Sequence, residues 1–193
     1  MARGYHHGDL RAALVRASLE LLAETGAFSV AQVARRLGVS TAAPYRHFPD
    51  REHLLSAVAA TAAGEMAAEI AAAVATAGDD PVDRFAAAGA AYVRYAVRTG
   101  AGFTVIFSTE LSGVRDETRT AATRALMEQW MDLITATGAR PTADSLHLIE
   151  EQIALAQGYT MLYTQGFFHR SSMPLEEIAG RVAMGSRRLV AGS

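Results

Sequence analysis

The chain contains no cysteine and no lysine. The first absence removes disulfide scaffolds, thiolate metal sites and cysteine nucleophiles together. The second removes the amine nucleophile and leaves arginine as the permanent cation. Proline is scarce, at five residues, and aromatics make up 7%. β-Branched runs are short and apolar alternation is missing, so no strand is expected. No uninterrupted apolar run approaches the ~20 residues a membrane span needs. Met1 to Leu10 carries two histidines and an acid where a signal peptide would have an apolar core. These absences lead to the expectation of a soluble cytoplasmic protein with no membrane partner. Half of the 193 residues are hydrophobic, enough to exclude disorder and to build a core for one domain or two.

What is present is alanine at helical period, punctuated by Gly, Pro and Asp. Leu10, Leu14, Ala17, Leu21 and Leu22 form one stripe, ended at Gly26. Ser29-Val30-Ala31-Gln32 reads as a capping box, in which Ser29 and Gln32 satisfy each other's backbone donors. Val30, Val33, Ala34 and Leu37 give the buried face of a second helix of about two turns, closed by Gly38. Ser40 is expected to cap a third short helix reaching about Phe48. Asp50 caps a long fourth helix to about Ala77, with Leu54, Leu55, Val58, Met66, Ile70 and Val74 on its apolar side. Gly78-Asp79-Asp80-Pro81 is the clearest linker. Further helices are expected to about Thr99, around Phe103 to Phe107, from about Arg115 to Thr137, from Ala143 to about Gln165, and after Pro174. The fold class is therefore all-α, with about nine helices.

The net charge of −2 conceals an asymmetry. Residues 1–56 hold seven arginines against five acids, and the remainder holds eleven arginines against fifteen acids. A basic head on an acidic body is compatible with nucleic-acid binding, although in so short a segment charge alone does not separate a footprint from chance. The stronger signal is the pair of short helices around Leu37-Gly38-Val39. A tight glycine turn holds two helices at a steep angle and lets the second project into a major groove. Ser40, Thr41, Tyr45, Arg46 and His47 offer donors, reach and charge, and the small Ala42 and Ala43 allow close approach. An ordinary core hairpin has no use for Tyr45-Arg46-His47 clustered on so short a helix.

Val33-Ala34, Leu37-Gly38-Val39-Ser40, Tyr45-Arg46-His47-Phe48 and Arg51-Glu52-His53-Leu54-Leu55 closely resemble the DNA-binding head of tetracycline-repressor-type regulators. Tyr5-His6-His7-Gly8-Asp9-Leu10-Arg11 is similar to the entry of that family's first helix. Ala91-Tyr92-Val93-Arg94-Tyr95, Phe103 to Phe107, Gln157-Gly158 and Gly166-Phe167 are similar to one C-terminal subtype. The resemblance implies a head at residues 1–56, with the helix-turn-helix at about 29–48, and a ligand-sensing and dimerisation domain at 57–193. Carried over by position, Thr41, Ala42, Ala43 and Arg46 face the groove, and Tyr45 and His47 bind phosphates. Arg51 matches a usual lysine and contacts backbone from a helix N-terminus. Gln32 stands where relatives often place a phosphate-touching hydroxyl, in competition with its capping role. Pro44 departs from the family pattern: it removes a backbone donor and restrains Ala43, which favours a tighter, partly 3₁₀ recognition helix.

The resemblance also implies an effector cavity among the middle helices, with Tyr92, Tyr95, Phe103, Phe107, Trp130, Tyr159 and Tyr163 as candidate lining residues. For Tyr92, Trp130 and Tyr159, core packing and ligand contact fit equally well. The partners it implies are a double-stranded operator, a small-molecule effector and a second copy of the chain, paired through the last two helices. An apolar face on nearly every side of 143–165 needs covering from several directions, which a dimer provides. No cofactor is expected. The histidines at 6, 7, 47, 53, 147 and 169 show no paired ligand spacing, so no metal site is expected either. Glu150-Glu151 and Glu176-Glu177 read as solvated helix faces. An all-helical enzyme is the competing class, but no Ser/His/Asp constellation appears and no catalytic residue is assigned; turnover of a pocket ligand would revive it. A helical protein-binding module is the third class, favoured by dimerisation without DNA affinity.

Overall fold

The computed structural model describes residues 10–138 and 142–192, whose regular structure is entirely helical. Three helical pieces make the head: α1 (Leu10–Thr25), α2 (Val30–Leu37) and the N-terminal turns of α3 (Arg51–Thr76). The body adds α4 (Pro81–Thr99), α5 (Phe103–Ile106), α6 (Glu117–Ala136), α7 (Thr142–Thr164) and α8 (Leu175–Ala191). Short 3₁₀ turns at Pro44–Arg46, Thr109–Leu111 and His169–Ser171 complete the described structure. The expected entry segment, Tyr5 to Asp9, lies outside the described residues.

The helix limits follow from local chemistry. The Ser29–Gln32 capping box forms in full, and Gly38 closes α2 in the left-handed region at φ 67°. Asp50 caps α3 by accepting from the His53 N–H at 2.8 Å. Asp80 caps α4 through the Val82 and Asp83 N–H groups, with Pro81 in the first helical position.

One expected helix is absent. Residues 40–48 do not wind as an α-helix capped by Ser40; they form a turn leading into the 3₁₀ segment Pro44–Arg46, whose cap position is Ala43 with no side-chain bond. The cause is Pro44. In an α-helix the Ser40 carbonyl would accept from the N–H of residue 44, which proline lacks. That carbonyl accepts instead from Ala43 at 3.0 Å, and Arg46 and His47 continue with i→i−3 bonds to Ala43 and Pro44.

The domain limit expected between residues 56 and 57 falls inside α3, so head and body share one continuous helix. Leu54 to Ala60 are all buried, on a helix that packs against α1, α4 and α6. In length and composition α3 is apolar enough to cross a bilayer, with a mean hydropathy of 1.4 in its most apolar window. The expectation that no uninterrupted apolar run approaches that length stands, because Glu65 and Glu69 interrupt this helix. Leu54, Val58, Met66 and Ile70 on it are buried in the protein's own core.

α4 is the central strut of the body, packed against α3, α6, α7 and α8, and both Phe85 and Tyr95 are fully buried on it. α7 buries one stripe, Ser145, Leu148, Ile149, Gln152, Ala156 and Thr160, at a spacing of three to four residues. The apolar Leu146 and Met161 on the same helix, and Met184 on α8, remain about half exposed.

Candidate nucleic-acid interface

The recognition segment is anchored by two buried side chains, Pro44 and Phe48, with the Arg11 guanidinium 5.0 Å above the Phe48 ring. Between these anchors Tyr45, Arg46 and His47 are exposed, Tyr45 at 54%. Ser40, Thr41 and Ala42 are exposed on the approach, and Ala43 is half-buried. A loss of helical regularity has therefore not folded this segment into the core. It stands on the surface as a short polar ridge on an apolar footing.

The other positions expected to touch DNA are held by intramolecular bonds. The Gln32 carboxamide oxygen accepts from the Ser29 N–H at 2.8 Å and from the Ser29 hydroxyl at 2.9 Å, so its oxygen serves the cap. Arg51 Nη1 donates to Glu110 Oε2 at 2.5 Å, and the Arg51 guanidinium carbon lies 5.3 Å from the Phe28 ring centroid. Asp50 carries a second bond, to His53 Nδ1 at 2.7 Å. The His53 side chain and its N–H hold the Asp50 carboxyl below the usual carboxylate range.

The arginines of the head differ in freedom. Arg36 is bound by Glu24 at 2.5 Å, and Arg16 by Glu65 at 2.9 Å. Arg35 and Arg46 are exposed, with no acid partner among the described residues. Arg35 was not singled out by motif reading; its exposure on the outer face of the amphipathic α2 is the signal that finds it.

Polar ties join the head to the body. Besides Arg51–Glu110, the buried Ser56 hydroxyl donates to Asp116 Oδ2 at 2.7 Å. Burial would raise the Asp116 carboxyl, but the Ser56 hydroxyl and the N–H groups at the start of α6 outweigh it and hold the group low. Gly100, the left-handed end of α4, presses on α1: a Cβ there would lie 2.5 Å from the Leu22 carbonyl oxygen. Glu110, Ser56 and Asp116 carry no motif, and only the folded chain brings them to these partners.

The seven aromatic candidates for an effector cavity take different neighbours. The Tyr92 hydroxyl donates to Gln157 Oε1 at 2.6 Å and accepts from the Phe103 N–H at 2.8 Å, tying α4, α7 and α5. Burial pushes the Tyr92 phenol up to about 12. Tyr95 is fully buried, its hydroxyl 3.3 Å from Glu65 Oε2, and burial together with that carboxylate raises its phenol as well. Trp130 packs edge-on against Phe85 in the core, with ring centroids 6.0 Å apart. Phe103 and Phe107 pair at 4.8 Å, and Phe107 lines a cleft of about 240 Å³ between α5 and α6. Tyr159 stacks on Phe168 at 6.2 Å, while Tyr163 lines a cleft of about 340 Å³ before α8. Of the paired acids, Glu150 and Glu151 are exposed, Glu176 binds Arg94 at 2.7 Å and Glu177 binds Arg181 at 3.0 Å.

Comparison with known proteins agrees with this geometry. Residues 14–58 match the family described as bacterial regulatory proteins, tetR family. Residues 85–183, half of the chain, match the tetracyclin repressor-like C-terminal domain. No curated protein sequence matches. A Rhodococcus sp. RHA1 protein of unknown function is similar in structure, at TM-score 0.74 and 28% identity, over 97% of this chain and 98% of its own. A bacterial regulatory protein in the tetR family from Rhodococcus RHA1 gives 0.64 and 23%, over 93% and 96%. The tetracycline repressor of Acinetobacter baumannii AYE, solved as a variant in complex with minocycline, gives 0.61 and 18%, over 98% and 96%. A helix-turn-helix head with an exposed, doubly anchored recognition segment, continuous with a matching helical body, makes this chain a member of the tetracycline-repressor family of DNA-binding transcription regulators.

Proposed function

We propose that this regulator is a cytoplasmic, ligand-released repressor that grips a near-palindromic operator as a homodimer. The observation that carries the reading is the ridge at 40–47, exposed and cationic above buried Pro44 and Phe48. Thr41, Ala42, Ala43 and Arg46 then face base edges, with Arg46 the best guanine reader. Ser40, Tyr45 and His47 take phosphates, joined by Arg51 when it is free of Glu110, and Gln32 contributes through its amide nitrogen while its oxygen stays in the cap. Pairing through α7 and α8 would cover the exposed Leu146, Met161 and Met184 and place two heads about 34–36 Å apart, one turn of duplex. A small molecule lodged in the body would act through α3, which is shared with the head. Binding to the minocycline-carrying relative's kind of ligand class is not required by this reading; the body needs only a ligand that prefers one spacing of the heads.

The test is anisotropy titration of the full chain against promoter duplexes at several salt concentrations. Arg46→Ala is expected to weaken specific binding by about 1–3 kcal/mol and leave the melting temperature unchanged, because its side chain is exposed. A purified chain that ignores every promoter fragment at low salt would refute the reading.

A further inference from the structure

We propose that Glu110 is a positioning residue for DNA binding: it withholds Arg51 from the phosphate backbone, so the body sets the head's affinity by holding or releasing one guanidinium. The inference rests on the DNA-binding reading above. Arg51 opens α3 at the edge of the head, where a cation beside a helix N-terminus suits a phosphate. In the structure that cation is engaged within the protein. Its Nη1 is bound to Glu110 Oε2 at 2.5 Å, its Nε lies 3.4 Å from the Phe28 carbonyl oxygen, and its plane sits over the Phe28 ring. Glu110 takes Nη1 and the Phe28 carbonyl takes Nε, so a phosphate would meet a guanidinium already half engaged, and its charge beside the Glu110 carboxylate adds like-charge repulsion.

Glu110 belongs to the body, 59 positions along the chain from Arg51. It rides on the 3₁₀ turn Thr109–Leu111, fixed on one side by fully buried Leu111 and on the other by the Ser108 hydroxyl, which caps the turn. The cleft of about 240 Å³ lined by Phe107, Ser108, Leu111 and Arg119 lies against this turn. Any shift of the turn therefore moves Glu110 and changes what Arg51 can reach. Arg46 and Arg35, by contrast, need no release, since no acid pairs with them among the described residues.

The experiment is a double-mutant cycle on the full chain with Glu110→Gln, Arg51→Gln and the pair, titrated against one promoter duplex across a salt series. Both side chains are at least one-third exposed, so the variants are expected to fold, which thermal melts check. Glu110→Gln is expected to tighten binding about three- to tenfold and to steepen the salt slope by about 0.9, one added phosphate contact. In the Arg51→Gln background the same change should alter affinity less than about twofold. Unchanged affinity and slope in Glu110→Gln would overturn the proposal. So would equal tightening with and without Arg51, which would mean that only bulk charge had changed. A wild type that binds no duplex at low salt fails the DNA-binding reading itself, and this inference with it; salt-dependent wild-type binding with an additive cycle fails the inference alone.

Discussion

Gly38 and Gly100 both end helices in the left-handed conformation, at φ 67° and 65°, yet their surroundings are opposite. A Cβ on Gly38 would meet nothing within 4 Å, whereas one on Gly100 would press within 2.5 Å of the Leu22 carbonyl oxygen. The contrast extends to the two regions. The head is shaped by devices a few residues long: the Ser29–Gln32 box, the Gly38 turn, the Pro44 3₁₀ segment and the Asp50 cap. The body is held by partners far apart in the chain, such as Tyr92–Gln157, Arg94–Glu176 and Arg187–Asp83. The head's form thus depends on neighbours in sequence, and the body's on neighbours in space.

Substitutions on each side of the contrast should differ in size. Gly100→Ala combines backbone strain with a clash against backbone that cannot swing aside, and is expected to cost about 3 kcal/mol in urea unfolding. Gly38→Ala carries the strain alone, about 1 kcal/mol. Equal losses at the two positions would show that α1 has room to retreat from α4.

The body's Tyr92 should make stability depend on alkaline pH. Its folded phenol titrates near 12 while an unfolded tyrosine titrates near 10, so the folded state keeps a proton that the unfolded state releases. The contribution, on the order of 2 kcal/mol, is complete below pH 10 and is lost as pH rises through 12. Tyr92→Phe should flatten that part of the stability curve between pH 10 and 12; a curve parallel to wild type would place the titration elsewhere.

An effect as small as that of Gly38→Ala is expected at the capping box. Ser29→Ala opens the capping box and should cost about 1 kcal/mol, with Ser29→Gly losing only a few tenths. If Ser29→Ala lowers stability much more than this, the head too depends on contacts beyond its local devices.

Much of the head was legible because its signals are short. A serine three residues before a glutamine, a glycine after two turns and an aspartate before a helix each act on neighbours only. Even the missing third helix traces to one residue, Pro44, whose effect on an i→i−4 bond is local. Motif spacing likewise placed Tyr45, Arg46 and His47 on a surface ridge. The body's candidates were less legible. Tyr92, Trp130 and Tyr159 share one chemistry whether they pack or line a cavity, and their partners in the fold, Gln157, Phe85 and Phe168, carry no signal in the sequence.

From residue order alone follow the all-helical class, most helix limits and the exposed recognition ridge, since each depends on hydrogen bonds and torsions within a few residues. The folded arrangement alone settled which arginines are free and which are bound, and where head meets body. Ion pairs such as Arg51–Glu110 and contacts such as Gly100 on Leu22 join positions dozens of residues apart, and no local preference specifies them.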